Sequence, residues 1–193
     1  MPITAPLLLT LLRIALVPVL VLFFYLPYHW SNLACVIIFV SAALTDWMDG
    51  YVARRTGQLT RFGAFLDPFA DKLMVATALV LLVQQNPHVV FALAAAIIIG
   101  RGITISALRE WMAELGQKGR VKVSKLGKLK TIFQMTSISF LLYRDDILTL
   151  PIAFLGELLL YLAAGLTLWS MWVYLHSAWP VMMENAHPGD TGE

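Results

Sequence analysis

Charge and cysteine are both scarce in this 193-residue chain. Only 13% of its residues are charged and 59% are hydrophobic, whereas a soluble domain has about 25% charged and about 45–50% apolar residues. The mean hydropathy is +0.75. The single cysteine, Cys35, lies in an apolar run and has no second cysteine to pair with, so a disulfide-stapled scaffold is excluded. The composition therefore indicates an integral membrane protein.

Long apolar runs fill most of the chain. Short segments with turn residues separate six of these runs, which cover residues 7–27, 32–52, 70–84, 88–109, 127–143 and 151–176. The runs are longer than strands and continuous rather than alternating, which favours helices over a β-barrel. We therefore expect an all-α integral membrane fold, a bundle of six transmembrane helices. A single transmembrane domain would cover residues 1–180, with a polar tail over 181–193.

Basic residues are distributed unevenly between the two ends of these helices. Twelve of the 14 lysines and arginines flank the links between helices two and three and between helices four and five. Positive-inside bias then places both links and both termini in the cytoplasm. Loop residues such as Lys118, Arg120, Lys122 and Lys125 fit a topology signal that faces solvent or anionic lipid. Arg101 fits it poorly because it lies inside an apolar segment.

Two pairs of aspartates flank the link between helices two and three. Asp46 and Asp49 are three residues apart, and Asp67 and Asp71 are four apart, so each pair shares a helix face. Four grouped carboxylates need compensating positive charge. Two hard divalent cations would balance them and suit a phosphoryl displacement, whereas the lack of nearby His or Cys disfavours zinc. The alternative is a salt-bridge network with the cations in and beside the link, which are Arg54, Arg55, Arg61 and Lys72.

The acids belong to a longer pattern, Asp-x2-Asp-Gly-x2-Ala-Arg-x8-Gly-x3-Asp-x3-Asp, which runs from Asp46 to Asp71. This pattern resembles the signature of the CDP-alcohol phosphotransferase family. The stretches around Thr10 and Arg13 and over residues 60–68, 105–113 and 127–131 extend the resemblance over most of the chain. It implies a six-helix homodimer in the inner (plasma) membrane of a bacterium, with a cytoplasmic site that uses two Mg²⁺ or Mn²⁺ ions.

The resemblance also implies roles for individual residues. The expected metal ligands are Asp46, Asp49, Asp67 and Asp71. Asp71 would also be the catalytic general base. The expected CDP-lipid-binding residues are Thr45, Gly50, Ala53, Arg54 and Gly63. The expected reaction transfers the phosphatidyl group of CDP-diacylglycerol to glycerol 3-phosphate, giving phosphatidylglycerophosphate and CMP in phospholipid biosynthesis. The same two-metal chemistry with another acceptor, such as inositol phosphate or serine, is the alternative.

A phosphorylated acceptor would need its own cations beside the acids. Arg101 and Arg109 are eight residues apart, hence near one helix face, and arginine grips phosphate in a bidentate fork. Lys128 and Lys130 are two apart and cannot both face inward from a regular helix; we expect Lys128 to be the inward one. A neutral acceptor would not need both arginines. The sequence departs from the family's pattern at Gly102, where family members often have an acidic residue.

Two further classes of protein are less consistent with the pattern. A transporter would place its carboxylates near the bilayer midplane on broken helices, whereas these acids lie at predicted cytoplasmic ends. A lipid-bound scaffold would not need the acids. The expected partners are thus the two substrates, membrane lipids and a second copy of the chain, with no nucleic acid.

Overall fold

A computed structural model describes residues 5–56, 61–114, 125–145 and 150–186, except for some side chains near the helix ends. These residues form six α-helices and no β-strand, which confirms the all-α prediction. The helices are α1 (Ala5–Phe24), α2 (Trp30–Thr56), α3 (Arg61–Gln85), α4 (Val89–Glu114), α5 (Lys125–Tyr143) and α6 (Ile152–Ala186).

The apolar segments predicted where the helices lie better than where they end. Helix α3 begins at Arg61, nine residues before the predicted apolar segment, and α6 continues ten residues beyond residue 176. Each extension contains a proline and at least one charged residue, which lower its hydropathy although the backbone can remain helical at a membrane surface. The extension of α6 also makes residues 181–186 of the predicted tail helical. Because α3 starts early, Asp67 and Asp71 lie on the same helix.

Three of the helices are long and apolar enough to cross a bilayer by themselves, over Leu7–Phe24, Val89–Leu108 and Ile152–Val173. Helix α2 contributes a shorter apolar stretch, Trp30–Thr45. The chain is therefore a membrane protein, whereas the count of six spans stays a prediction. Helices α2, α3 and α5 lack an apolar stretch of this length because they carry the aspartates, arginines and lysines of the predicted site and its surroundings.

The helices pack around a core of small and branched side chains. Helix α1 lies against α2 and α3, while α6 packs along α5 and contacts α4. Ala78, Leu79, Phe91, Leu160 and Ala163 are almost completely buried at these contacts. Large apolar side chains on the outer faces, such as Leu8, Val89 and Trp172, are more than half exposed, as expected for surfaces that face lipid.

Polar contacts between side chains tie the helices together at the end opposite the aspartates. Tyr25 donates to Gln84 and Asn86 donates to Glu157, which links α1 to α3 and α3 to α6. Asn32 Nδ2 donates to Asp145 Oδ2 at 3.2 Å, which links α2 to the end of α5. These contacts fix the spacing of the bundle at one end and leave the other end for the site.

Arg144 closes α5 at the same end. Its φ is +65°, a left-handed conformation that favours glycine. Its guanidinium lies over the Phe24 ring at 4.2 Å from the centroid, a cation–π contact that offsets the backbone cost. Partial burial lowers the pKa of this guanidinium, against the raising effect of nearby Cys35 and Asp145. The contact anchors the end of α5 to the end of α1.

Candidate active site

Helix α1 supplies a hydrogen bond to one of the predicted metal ligands. Thr10 Oγ1 donates to Asp67 Oδ1. Thr10 is completely buried, while Asp67 is only partly buried. The hydroxyl is therefore held away from solvent and directed at the carboxylate, an arrangement that fixes the orientation of a ligating group.

Arg13 lies one turn along α1 from Thr10 and is only 1% exposed. It lines a small void together with Asp71 and Met74 of α3 and with Phe39 and Ala42 of α2. Thr10 and Arg13 are three residues apart, and Asp67 and Asp71 are four apart, so one face of α1 meets the acidic face of α3. A buried arginine at this place supplies positive charge close to the carboxylates.

Thr10 and Arg13 are not among the site residues that the sequence predicts, although they belong to the family resemblance. The sequence does contain a sign that Arg13 is functional, because it is the only charged residue of a 20-residue apolar helix. An ionisable residue within a membrane helix marks a functional site by default. What the sequence could not show is that α1 packs against α3, 57 residues away at the contact between Thr10 and Asp67.

A larger cavity of about 360 Å³ opens on the other side of Asp71, between α3, α4 and α5. Its polar lining consists of Asp71, Lys72, Arg101, Ser106, Thr131 and Gln134. Asp71 therefore lies between the void beside Arg13 and this cavity. The predicted general base and the predicted phosphate ligand Arg101 line one space, although they are 30 residues apart in sequence.

Lys72 is fixed to the wall of this cavity by a short relay. Its Nζ donates to Ser106 Oγ, and Ser106 Oγ in turn donates to the Gly102 carbonyl at 3.1 Å. Since the single hydroxyl proton of Ser106 points to the main chain, its lone pairs accept from the ammonium. Gly102 lines the cavity as well, and apart from its own helix backbone no described residue lies within 4 Å of the position that a Cβ would take there.

Among the lysines of α5, the structure describes the side chain of Lys130. It is 4% exposed and donates to Ser170 Oγ of α6 at 3.2 Å, so it is directed towards α6. The side chain of Lys128, which we expected to face inward, lies outside the described residues, as does that of Arg109. The orientation of these two cations therefore stays a prediction.

The residues predicted to bind the CDP-lipid are described only in part. Gly63 is buried at the start of α3. Thr45 Oγ1 donates to the carbonyls of Ser41 at 3.0 Å and Ala42 at 2.7 Å, so its oxygen remains an acceptor for a ligand in this conformation. Residues 46–56 are helical in α2, but their side chains lie outside the described residues. This group contains Asp46, Asp49, Gly50, Ala53 and Arg54.

The residues fit a divalent cation by their chemistry. Among the described side chains, no three or more of His, Cys, Asp and Glu gather in one place. Asp67 and Asp71 share a face of α3, and Asp46 and Asp49 are three apart on the helical backbone near the C-terminal end of α2. Aspartate oxygens are the donors that Mg²⁺ and Mn²⁺ prefer. A complete metal site thus depends on Asp46 and Asp49.

Comparison with known proteins identifies the class of this site. A model of the CDP-alcohol phosphatidyltransferase family matches residues 3–172. The chain therefore belongs to this family, whose members are membrane-embedded and generally use divalent metal ions.

Individual relatives are similar over almost the whole chain. The CDP-diacylglycerol–glycerol-3-phosphate 3-phosphatidyltransferase of Yersinia pestis (strain Pestoides F) is 52% identical over 184 residues, which are 95% of this chain and 100% of that protein. The Yersinia enterocolitica protein of the same name is 54% identical over 95% of this chain and 100% of its own length. That of Pectobacterium atrosepticum is 54% identical, over 90% of this chain and 93% of its own.

Proposed function

We propose that this chain transfers the phosphatidyl group of CDP-diacylglycerol to glycerol 3-phosphate, releasing CMP and forming phosphatidylglycerophosphate. The observation that carries this proposal is that Asp71 and Arg101 line the same cavity. One residue is a base for an alcohol and the other a cation for a phosphate, as a phosphorylated alcohol requires. The names of the relatives support the same donor and acceptor.

Asp71 is the residue that removes the acceptor's proton in this proposal. It faces the cavity, so a hydroxyl bound there lies on the correct side of α3. A glycerol hydroxyl is a weak nucleophile until a positioned base takes its proton in the transition state. The base and the metal ligands come from the same group of aspartates, namely Asp46, Asp49, Asp67 and Asp71. When bound there, two Mg²⁺ or Mn²⁺ ions supply positive charge to the diphosphate oxygens and the leaving CMP.

The donor nucleotide binds on the α2 side of the aspartates. Gly50, Ala53 and Gly63 have little or no side chain, which lets a diphosphate approach the helix backbone closely. Arg54 contributes a cation for the diphosphate, and Thr45 accepts a hydrogen bond from the nucleotide. The two acyl chains of CDP-diacylglycerol remain in the bilayer alongside the helices.

The acceptor binds on the α4 and α5 side. Its phosphate carries a charge of about −2, which the aspartates repel. Arg101, Arg109 and Lys128 compensate this repulsion. A cavity of about 360 Å³ lies at the small end of the range for ligand pockets and suits a three-carbon phosphate. Inositol phosphate and serine are the acceptors to which glycerol 3-phosphate must be compared.

The distribution of cations supports a location and an orientation. The chain would be a multi-pass protein of the bacterial inner (plasma) membrane, with the site and both termini at the cytoplasmic face, where charged substrates are available. It would act as a homodimer in contact with membrane lipids.

An acceptor panel tests the proposed reaction. Purified protein in detergent–lipid micelles with CDP-diacylglycerol and Mg²⁺ is expected to release CMP when glycerol 3-phosphate is added, and EDTA is expected to abolish the release. Inositol phosphate and serine serve as matched acceptors. Faster CMP release with either of them than with glycerol 3-phosphate would contradict the proposed acceptor.

A further inference from the structure

Besides Arg101, the cavity beside Asp71 contains a second cation, Lys72. From the sequence alone, Lys72 is expected only to be a topology charge or an ion-pair partner of the aspartates. Lys72 and Arg101 line this cavity from two different helices, α3 and α4. Both side chains are partly buried, so they interact with a bound ligand more strongly than fully hydrated surface charges would.

The Lys72 ammonium has a defined position because α4 holds it. Its Nζ donates to Ser106 Oγ, and Ser106 is anchored through the Gly102 carbonyl. Gly102 follows Arg101 directly, and Ser106 lies about one turn further along α4, so the anchor begins beside Arg101. The relay therefore couples a charge on α3 to the part of α4 that carries the arginine.

A site fixed in this way is suited to a compact dianion. Arginine offers phosphate a planar fork, and lysine adds a point charge with three donors. Asp71 lies next to Lys72 in sequence and lines the same cavity, so the aspartate's negative charge repels a phosphate bound there. A second cation at this wall opposes that repulsion.

We propose that Lys72, positioned by Ser106, binds the phosphate of the acceptor together with Arg101 and so selects phosphorylated over neutral alcohols. This inference rests on the proposed function for the identity of the acceptor. The inference concerns one ammonium group on α3, that of Lys72, and assigns to it the recognition of a phosphate.

Kinetics of four variants test the assignment. Lys72→Gln removes the charge, Lys72→Arg keeps it, and Ser106→Ala removes the contact that fixes it. Lys125→Gln removes one positive charge from the first residue of α5 and controls for net charge. CMP release is measured in micelles at saturating CDP-diacylglycerol with varied glycerol 3-phosphate, and then with the two substrates exchanged.

The expected result is selective for the phosphate. Lys72→Gln raises the KM for glycerol 3-phosphate about 10-fold, equivalent to about 1.4 kcal/mol, and leaves the KM for CDP-diacylglycerol within twofold. Lys72→Arg recovers most of the loss, Ser106→Ala gives a smaller rise in the same direction, and Lys125→Gln matches the unaltered chain. Equal effects of Lys72→Gln on both KM values, or a fall in kcat alone, would overturn the assignment.

A binding measurement separates this inference from the proposed reaction. Equilibrium dialysis with labelled inorganic phosphate, in the presence of Mg²⁺, does not depend on turnover. We expect weaker phosphate binding by Lys72→Gln than by the unaltered chain and by Lys125→Gln. If the unaltered chain fails to use glycerol 3-phosphate but Lys72→Gln still weakens phosphate binding, the reaction is wrong and the phosphate site stands. Unchanged phosphate binding would overturn the site whatever the reaction is.

Discussion

Replacement of Thr10 by valine removes the hydroxyl that donates to Asp67 while keeping the side chain's shape. Thr10 is 0% exposed, so water cannot easily take the place of the missing donor. A hydrogen bond to a charged group contributes about 1.5–3 kcal/mol, which corresponds to roughly 10- to 150-fold in an equilibrium or rate constant. Loss of a group that orients a metal ligand typically costs about 10- to 100-fold in metal affinity or activity, which agrees with this range.

The assay is CMP release in micelles as a function of Mg²⁺ concentration. Thr10→Val is expected to raise the half-saturating Mg²⁺ concentration at least about 10-fold, because the carboxylate of Asp67 is no longer held in one orientation. Thr10→Ser keeps the hydroxyl and is expected to stay close to the unaltered chain. Thermal unfolding in detergent identifies any variant that is simply unfolded.

Two results would refute this reasoning. A folded Thr10→Val protein with half-saturating Mg²⁺ and kcat within twofold of the unaltered chain would show that Asp67 does not depend on the hydroxyl. A Thr10→Ser variant as impaired as Thr10→Val would show that keeping the hydroxyl does not preserve Mg²⁺ affinity, so that its contact with Asp67 does not explain the effect.

Three further substitutions examine the base, the packing of α5 on α6, and the end of α5. Asp71→Asn is expected to lower kcat by at least about 100-fold, whereas full turnover in that variant would show that the base lies elsewhere. Gly156→Ala places a Cβ 2.8 Å from Leu141 Cγ and is expected to destabilise the protein by about 1–3 kcal/mol in thermal unfolding; Gly165→Ala, with nothing within 4 Å, is the matched control and is expected to be neutral or slightly stabilising. Arg144→Gly is expected to be more stable than Arg144→Ala by about 1 kcal/mol because φ is +65° there, and the reverse order would refute the strain at that position.

The long apolar runs predicted the all-α class and the approximate positions of the helices, and residue spacing predicted that Asp67 and Asp71 share a helix face. Both signals depend on local sequence only. The start of α3 was not predicted, because residues such as Arg61, Asp67 and Pro68 interrupt its apolar pattern. Asp67 is also a predicted metal ligand, so a residue predicted to bind metal weakens the apolar signal of the helix that carries it.

The remaining features depend on which helices are neighbours. Thr10 meets Asp67 across 57 residues, and Lys130 meets Ser170 across 40. One sequence with its hydropathy pattern does not determine these contacts, because helix–helix packing in lipid depends on the shape of small residues and on polar pairs. Spacing showed only that Lys128 and Lys130 cannot both face inward; Lys130 is buried, and the orientation of Lys128 stays a prediction because its side chain lies outside the described residues.

The proposed reaction requires that the four aspartates of α2 and α3 hold two divalent ions. This requirement can be tested by electron paramagnetic resonance on the metal-free protein, titrated with Mn²⁺ in the presence of CDP-diacylglycerol. We expect two bound Mn²⁺ per chain with the spin–spin coupling of ions about 3.5–4 Å apart, and loss of that coupling in Asp71→Asn. Binding of a single, uncoupled Mn²⁺, or the same spectrum in Asp71→Asn as in the unaltered chain, would contradict it.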